Sequence, residues 1–532
     1  MRNYLHFTVF FLGSLFLAAQ EAPEIEWDKI YGGSDGESGY RIEKTADGGY
    51  LIGGASSSID GDVTGNHSTD PEWLLPDIWV VKVDAEFNLE WQKSLGGSII
   101  EDLLDMKVTP DGGYIVVGYT SSYDGDVVGN HGDPLDYYSD GWAVKLDSEG
   151  NIEWTRCLGG LIGDSIYSIA ITPEGDYLLV GHTESTDGDI MTPIKGSLDL
   201  WVVKINNEGE IISSITYGGS SYEEPTSVAM FENGNYVVAL QTYSNDGDIE
   251  TFYGTPGIDG DAWIVEFNPA GEIVWQGTYG GSYNDKAWKV LITPDNGLLI
   301  GGYAISEDGN INIPNNSGFD LDFWVLKLDA ERNIEWQKKF GGSANDNLFN
   351  MAIDEDGYVL IGTTNSTDLG AGAELHGSFD QLIVKIDFGG ELQWMKTLGG
   401  SDIDSMGSML IEEDGSYIVA GTTRSIDGDV SNSYGFGDVW IVKLEGDEIM
   451  DVDDFNLSSI QIYPNPTKDI INISNQKEIT KIALVDVSGK QLMNKSVNSK
   501  NEELNISQLP AGIYILKVES GGKEKSFKVI KK

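Results

Sequence analysis

At 532 residues, with 33 Lys+Arg against 86 Asp+Glu, the chain carries a formal net charge of −53. A surface this anionic is repelled by phosphate backbones and acidic lipid headgroups, which excludes nucleic acid and an anionic membrane surface as partners. The charge is also lopsided: from Phe455 onward 12 Lys face 7 Asp+Glu, a net of +5 that leaves −58 on the remainder and marks two domains with different tasks.

The N-terminus, MRNYLHFTVFFLGSLFLAAQ, places Arg2 before an apolar run from Phe7 to Ala19 and then small residues. This is the pattern of a secretory signal, too short to cross a bilayer, with cleavage expected between Ala18 and Glu21. No later segment reads as transmembrane, so a soluble, monomeric protein outside the cytoplasm is expected. The single cysteine, Cys157, can form no internal disulfide. Other copies of the unit described next carry Ile, Ser, Thr, Thr, Lys and Thr at its position, so Cys157 reads as an ordinary strand residue.

Downstream, one unit recurs. Read from its tryptophan it is EWDKIYGGS at Trp27, EWQKSLGGS at Trp91, EWTRCLGG at Trp154, VWQGTYGGS at Trp275, EWQKKFGGS at Trp336 and QWMKTLGGS at Trp394, with a degraded copy, ISSITYGGS, at Ser213. The interval is nearly constant from Trp27 to Trp394, so seven copies fill residues 25–446. A signature copied seven times is a structural part. Each copy holds four β-type runs, as in IYSIAITPEG, DYLLVGHTES, LWVVKINNEG and IISSITYGG, separated by Gly- and Asp-rich turns. Seven four-stranded units predict an all-β, seven-bladed β-propeller over residues 25–446.

Turn lengths set the phase. TPDGG (Thr109–Gly113) and DSEGN are short, whereas the connection from YTSS to GWAVKLD runs all the way from Tyr123 to Asp140, so strands a and b form one hairpin and c and d another. The W…GG run is then outer strand d. Its first copy, Glu26–Gly33, precedes any complete blade, and the last blade stops after strand c at DVWIVKLE. The N-terminal strand is therefore expected to close the ring by pairing with Val439–Glu445, hiding two sheet edges. Twelve of the 14 tryptophans fall at one position in strand d or one in strand c and read as packing between blades; Trp73 and Trp288 do not.

The repeat resembles the seven-bladed propeller repeat of bacterial secreted proteins, through "D.WVVKLD..GNI.W...LGGS..D" followed by "I..TPDGGYIVVGYTSS". More distantly, VVKVDAEFNLEW is similar to the tryptophan-docking repeat of pyrroloquinoline-quinone enzymes. The threonine-glycine pair of that turn is missing and the copy number is seven rather than eight, so no quinone is carried over.

Connections b-to-c and d-to-a share one face of a propeller, and here both are acidic. Three residues past the GGS serine position stand Glu37, Glu101, Asp164, Glu223, Asp285, Asp346 and Asp404; after strand b stand Asp60, Asp124, Asp187, Asp246, Asp308, Asp368 and Asp427; before strand c stand Asp77, Asp140, Asp199, Asp261, Asp322, Asp380 and Asp438. Twenty-one equivalent carboxylates cannot all be catalytic. They read first as turn caps that accept backbone N–H bonds. The sharper reading is Ca²⁺, with SIDGDVTGN and SYDGDVVGN offering Asp60, Asp62 and Asn66, then Asp124, Asp126 and Asn130, without the distal glutamate of an EF-hand.

The long b-to-c loops differ between blades and are the place for specificity. They supply Trp73, Tyr137, Tyr138, Phe252, Tyr253 and Tyr434 as candidate ligand-binding aromatics, suited to stacking on sugar rings beside carboxylates or to packing down their own loops. No histidine pair has helical metal-ligand spacing and no GxSxG elbow occurs. No catalytic residues are assigned.

After an acidic linker, residues 447–457, the chain turns lysine-rich and tryptophan-free over 458–532, with alternation suggesting a small β-sandwich. YPNPTKDIINIS, LVDVSGK, LNISQLPAGIYILKV and FKVIKK resemble the type A C-terminal sorting domain of the type IX secretion system of Bacteroidota. The motif positions are Tyr463, Pro464, Asn465, Pro466, Gly489, Lys490, Leu509, Pro510, Gly512, Tyr514 and Lys517. The resemblance implies export by the general secretory route, recognition by the type IX machinery, and release or attachment at the cell surface. The expected function is a secreted or surface binding and adhesion propeller for glycan or protein. The alternatives are a polysaccharide-active enzyme on the same scaffold and a structural surface-layer component.

Overall fold

The computed structural model describes residues 21–68, 74–314, 320–446, 461–464, 467–486, 490–510, 512–520 and 523–532. The expected signal (1–20) and linker (447–457) lie outside the described residues. Two compact units divide between Asp447 and Glu448.

The first unit is a ring of seven four-stranded antiparallel sheets, with no helix among the described residues. In blade 1, strand a is Glu37–Lys44, b Tyr50–Ser56, c Asp77–Val83 and d Leu89–Leu95, hydrogen-bonded in that order. Blades 2 to 6 repeat the order, with strand a at Glu101–Val108, Asp164–Ile171, Glu223–Met230, Asp285–Ile292 and Asp346–Ile353. Blade 7 takes a (Asp404–Ile411), b (Tyr417–Thr423) and c (Asp438–Leu444) from the end of the repeat region, and d (Ile25–Tyr31) from its start. The expected clasp is present, with Ile25 opposite Leu444, Asp28 opposite Val442 and Tyr31 opposite Val439. Tyr31 Oη reaches across to the carbonyl of Phe87 (2.7 Å), so the clasp strand is held by blade 1 as well.

Strands b and c are buried on both faces because each blade is sandwiched between two others, which is why they read as near-continuous apolar runs. The six strand-c tryptophans are 0–1% exposed. Five of the strand-d tryptophans are only half-buried, because d is the outer edge; the sixth, Trp394 in blade 6, is fully buried. The edge rings are covered by the c–d turn of the following blade. A β-carbon added at Gly150, whose φ is +78°, would lie 2.9 Å from the ring of Trp91. On the face opposite the long loops, buried lysines tie c, d and the a–b turn together: Lys82 pairs with Asp47 (3.0 Å) and Glu90 (2.8 Å), and Lys145 with Asp111 (3.1 Å) and Glu153 (3.0 Å). Cys157 sits buried opposite Trp142, its thiol pushed up by desolvation.

The second unit is a five-stranded sheet. Ile470–Asp486 pairs along its length with Gln491–Asn505, its early part with Gln461–Tyr463, and its later part with Gly512–Ser520, which carries Lys523–Lys531. The register breaks between Ser474 and Ile479, and a bridge from Thr467 to Lys531 brings the far edge back, so the sheet folds over one core that includes Ile471, Ile482, Leu516 and Val529.

One seam of the ring is incomplete. The indole N–H of strand c donates to strand d in Trp79→Gln92 (2.7 Å), Trp201→Ser214 (2.8 Å), Trp263→Gln276 (2.9 Å), Trp324→Gln337 (3.3 Å) and Trp440→Asp28 (3.1 Å), whereas Trp142 Nε1 is buried without a partner. Thr155 occupies the place that Gln92 holds in blade 1. Thr155→Gln is expected to supply the missing acceptor and stabilise the ring by about 1 kcal/mol, and Gln276→Thr to cost a similar amount. Urea unfolding of both variants checks the pair.

Candidate functional site

The loop face is built from one junction repeated seven times. The N–H of the first residue of each strand a donates to a carbonyl of the preceding blade: Glu37 to Gly437, Glu101 to Pro76, Asp164 to Ser139, Glu223 to Leu198, Asp285 to Gly260, Asp346 to Leu321 and Asp404 to Phe379, all at 2.6–3.0 Å. The carboxylates of these same residues fold back onto the second glycine of GG, accepting its N–H at 2.7–3.0 Å in all seven copies. The post-b aspartates, Asp60 through Asp427, accept the N–H of the next residue at 2.7–2.9 Å. A serine two residues earlier, Ser58 and its six equivalents, accepts the following N–H at 2.8–3.0 Å. Each entry loop thus presents three successive N–H groups to a carboxylate, a carboxylate and a hydroxyl.

The pre-c aspartates cap their own loops. Asp77 accepts the N–H of His67 (3.0 Å) and faces its Nδ1 at 2.6 Å; Asp140 does the same with His131; Asp199 accepts from Lys195 and Gly196, and Asp438 from Tyr434. Each also confronts the next blade's first carboxylate across the first glycine of GG. A β-carbon on Gly32 would lie 2.4 Å from Asp438 Oδ1 and 2.6 Å from Glu37 Oε2, so only glycine fits. Burial of two like charges side by side pushes their pKa values up. Desolvation raises Asp77, Asp164 and Asp285 to about 6 and Glu223 and Asp261 to about 7, with the facing carboxylate adding to the shift at Asp77, Asp164, Glu223 and Asp261. His131 is raised chiefly by its hydrogen bond to Asp140.

The calcium candidates are drawn into this network. Asp60 and Asp124 hold the N–H groups of Ser34 and Ser98, and Asp62 that of Gly32 at 3.3 Å. Asp126 faces His67 Nε2 at 3.8 Å, while the Asn66 and Asn130 amides donate to loop carbonyls. Among the described residues no group of three or more His, Cys, Asp or Glu converges as a metal site would.

With two of its three acidic series buried and the post-b aspartates exposed, this face also turns apolar groups outward. Tyr137, Tyr138, Tyr253 and Tyr434 are exposed, together with Leu135 (81%), Phe436 (80%) and Ile426 (78%). Phe252 instead packs down against a buried cluster shared by blades 3 and 4, and Trp73 lies outside the described residues.

A second concavity lies on the ring axis. Every strand a carries a β-bulge at its fourth residue, and these residues, Tyr40, Leu104, Tyr167, Thr226, Trp288, Phe349 and Gly407, line one cavity of about 460 Å³ with Arg41, Asp102, Leu103 and Ser405. Bulges re-aim side chains, and here they place the fourth residue of all seven blades at the axis. The sequence reading missed this set and left Trp288 unassigned. Two signals were available: Trp288 stands at the fourth residue of strand a, outside both tryptophan rows, and the S-x-D after strand b occurs in all seven copies.

In the second unit, Tyr514 is buried and donates to the carbonyl of Pro510 (2.8 Å), while Leu509 packs on the core. Tyr463, Pro464, Lys490 and Gly512 are exposed, and Lys517 pairs with Ala483 in the sheet. Asn465, Pro466 and Gly489 lie outside the described residues.

These features define a β-propeller joined to an export domain. Residues 461–532 match the secretion system C-terminal sorting domain, so the chain is a type IX secretion substrate, delivered to the cell surface or beyond. Among the described residues no helix is long and apolar enough to cross a membrane. The chain is 22% identical over 382 residues to regulatory protein FlaEY of Caulobacter vibrioides, covering 66% of this chain but only 39% of that relative's length. Among solved structures it is similar to PorZ, described as an essential bacterial surface component of the type IX secretion system of Porphyromonas gingivalis (TM-score 0.37, 11% identity, 96% of this chain and 61% of that one). It is also similar to the Pan2 WD40 domain of Neurospora crassa (TM-score 0.41, 10% identity, 76% and 88%).

The raised carboxyls fix a sign. The folded ring holds protons that the unfolded chain releases, so their contribution to stability is complete below about pH 4 and is lost as pH rises through 6 to 7. A higher melting temperature at pH 5.5 than at pH 8 is expected at constant ionic strength, with a shallower slope in Glu223→Gln. Calorimetry across that range measures both.

Proposed function

We propose that the mature protein is an extracellular binding module that takes glycan through the loop face of its propeller. The observation that carries this reading is the make-up of that face: two carboxylate series are buried, while Tyr137, Tyr138, Tyr253, Tyr434 and Phe436 are exposed on the same loops as the exposed post-b series that includes Asp124 and Asp427. Exposed apolar groups on one face are the mark of an interaction surface. Rings beside carboxylates suit sugars, whose C–H faces stack while their hydroxyls donate. The sorting domain supplies the route, and an N-terminal secretory signal and a Bacteroidota cell complete the setting.

Calcium belongs to this proposal as a rim cation on a single loop, held in blade 1 by Asp60, Asp62 and Asn66 or in blade 2 by Asp124, Asp126 and Asn130. It supplies charge screening and a hydroxyl ligand. Millimolar Ca²⁺ is expected to raise the melting temperature over Mg²⁺ at equal ionic strength, and equal melting curves would remove it.

Replacing Trp73, Tyr137 and Tyr138 with alanine is expected to abolish retention on polysaccharide affinity gels while leaving the melting temperature within about 2 °C, the range of surface substitutions. Unchanged retention would clear these loops of a role. Reducing-sugar release measured in the same samples separates binding from the polysaccharide-active alternative.

A further inference from the structure

The axial cavity stands on residues that the loop-face reading does not use. Its walls are the rings of Tyr40, Tyr167, Trp288 and Phe349, contributed by blades 1, 3, 5 and 6. Trp288 meets Phe349 edge-on at 5.8 Å. Two polar atoms in the wall are buried and unpartnered: the indole Nε1 of Trp288, a donor, and Oδ1 of Asp102, an acceptor. Buried polar atoms are nearly always paired in folded proteins. An open donor and an open acceptor facing one aromatic cavity indicate a ligand that carries both functions.

The charges around the cavity narrow the class. Two of the cations are paired: Arg41 Nε with Asp105 Oδ1 at 3.2 Å, and Lys286 Nζ with Glu224 at 2.8 Å while lying 4.3 Å from the centre of the Trp288 ring. The cations of the wall and floor, Arg41, Lys107, Lys286 and Lys289, are matched in number by Glu43, Asp102, Asp105 and Glu224, so no net charge favours an anionic or a cationic ligand. A neutral ligand remains, with apolar faces for the rings and hydroxyls for the open polar atoms. A pyranose has both.

The floor sets the mode of entry. One residue further along strand a, Asp105 binds Arg41 of blade 1 and accepts from Ser168 Oγ (3.0 Å) and the N–H of Ile169 (3.1 Å) of blade 3; two residues beyond, Lys107 pairs with Glu43. This cross-blade network lies below the aromatic layer, and a polymer threading the axis would have to break it. Toward the loop face, a cleft of about 250 Å³ shares Tyr40 and Asp102 with the cavity and reaches Arg424 and Phe436. We propose that the axial cavity binds one neutral, terminal sugar residue end-on, with Trp288 Nε1 donating to a ring or hydroxyl oxygen, Asp102 accepting from a hydroxyl, and the next residue of the chain lying toward Phe436.

The test uses the mature chain, residues 21–532, with the methyl glycosides of glucose, galactose, mannose, N-acetylglucosamine and xylose as probes, followed by saturation-transfer NMR and intrinsic fluorescence. Saturable binding of at least one probe is expected. Trp288→Phe and Asp102→Ala should each weaken it about tenfold, as loss of one buried hydrogen bond does, with unchanged melting curves. Tyr137→Ala/Tyr138→Ala should leave it intact, which separates this site from the loop face. No saturable binding of any of the five, or binding that survives both axial substitutions, overturns the proposal. So does binding lost only in the tyrosine variant.

Discussion

The ring depends on acidic side chains that never reach water. At each of seven junctions a carboxylate at most 2% exposed accepts a glycine N–H, while the backbone of the same residue bonds the preceding blade. Burying a charge is costly unless hydrogen bonds replace its hydration. Here the replacement is supplied by Gly N–H groups and by Ser and Thr hydroxyls such as Ser56 and Thr120. The double glycine follows from this, since any side chain at Gly32 would displace the two oxygens that meet there. A chain that must fold outside the cytoplasm with one cysteine has no disulfide to close its ring; polar junctions and the strand clasp do so instead.

Because the junctions are equivalent, they hold the ring and leave chemistry to the positions where the repeat is broken. Two such positions exist. One is the set of b-to-c loops, where length and aromatic content change from blade to blade. The other is the bulged residue of strand a, where Tyr, Leu, Tyr, Thr, Trp, Phe and Gly stand in turn around the axis. Symmetry carries the mechanics, and asymmetry offers the places for recognition.

Much of this was legible in the residues. The spacing of the W…GG units gave the blade number, turn lengths gave the phase, and the missing final strand d predicted the pairing of Glu26–Gly33 with Val439–Glu445, which the structure shows between Ile25–Tyr31 and Val439–Leu444. The roles of the acids as caps were legible too, since short acidic side chains before glycine and serine N–H groups have few other uses. What the sequence hid was direction. A strand alternates its faces with period two, and one extra residue at the bulge resets that alternation, so Tyr40 and Arg41, adjacent in sequence, both line the axial cavity. Trp288 therefore looked like an exception to the tryptophan pattern when it belonged to a different layer. The expected equivalence of the two tryptophan rows also failed in part, because strand d has a neighbour on only one side and its rings are covered by turns of the next blade.

The clasp has a temporal meaning. Strand Ile25–Tyr31 is the first piece of the ring to be synthesised, yet its partner, Asp438–Leu444, is the last, at the opposite end of the repeat region. Contacts so distant along the chain close late. Any partially translocated length of this polypeptide must therefore carry an open first edge, and the circle can be completed only after the whole repeat region has emerged. Closure thus marks the emergence of the whole repeat region, from its first strand to its last.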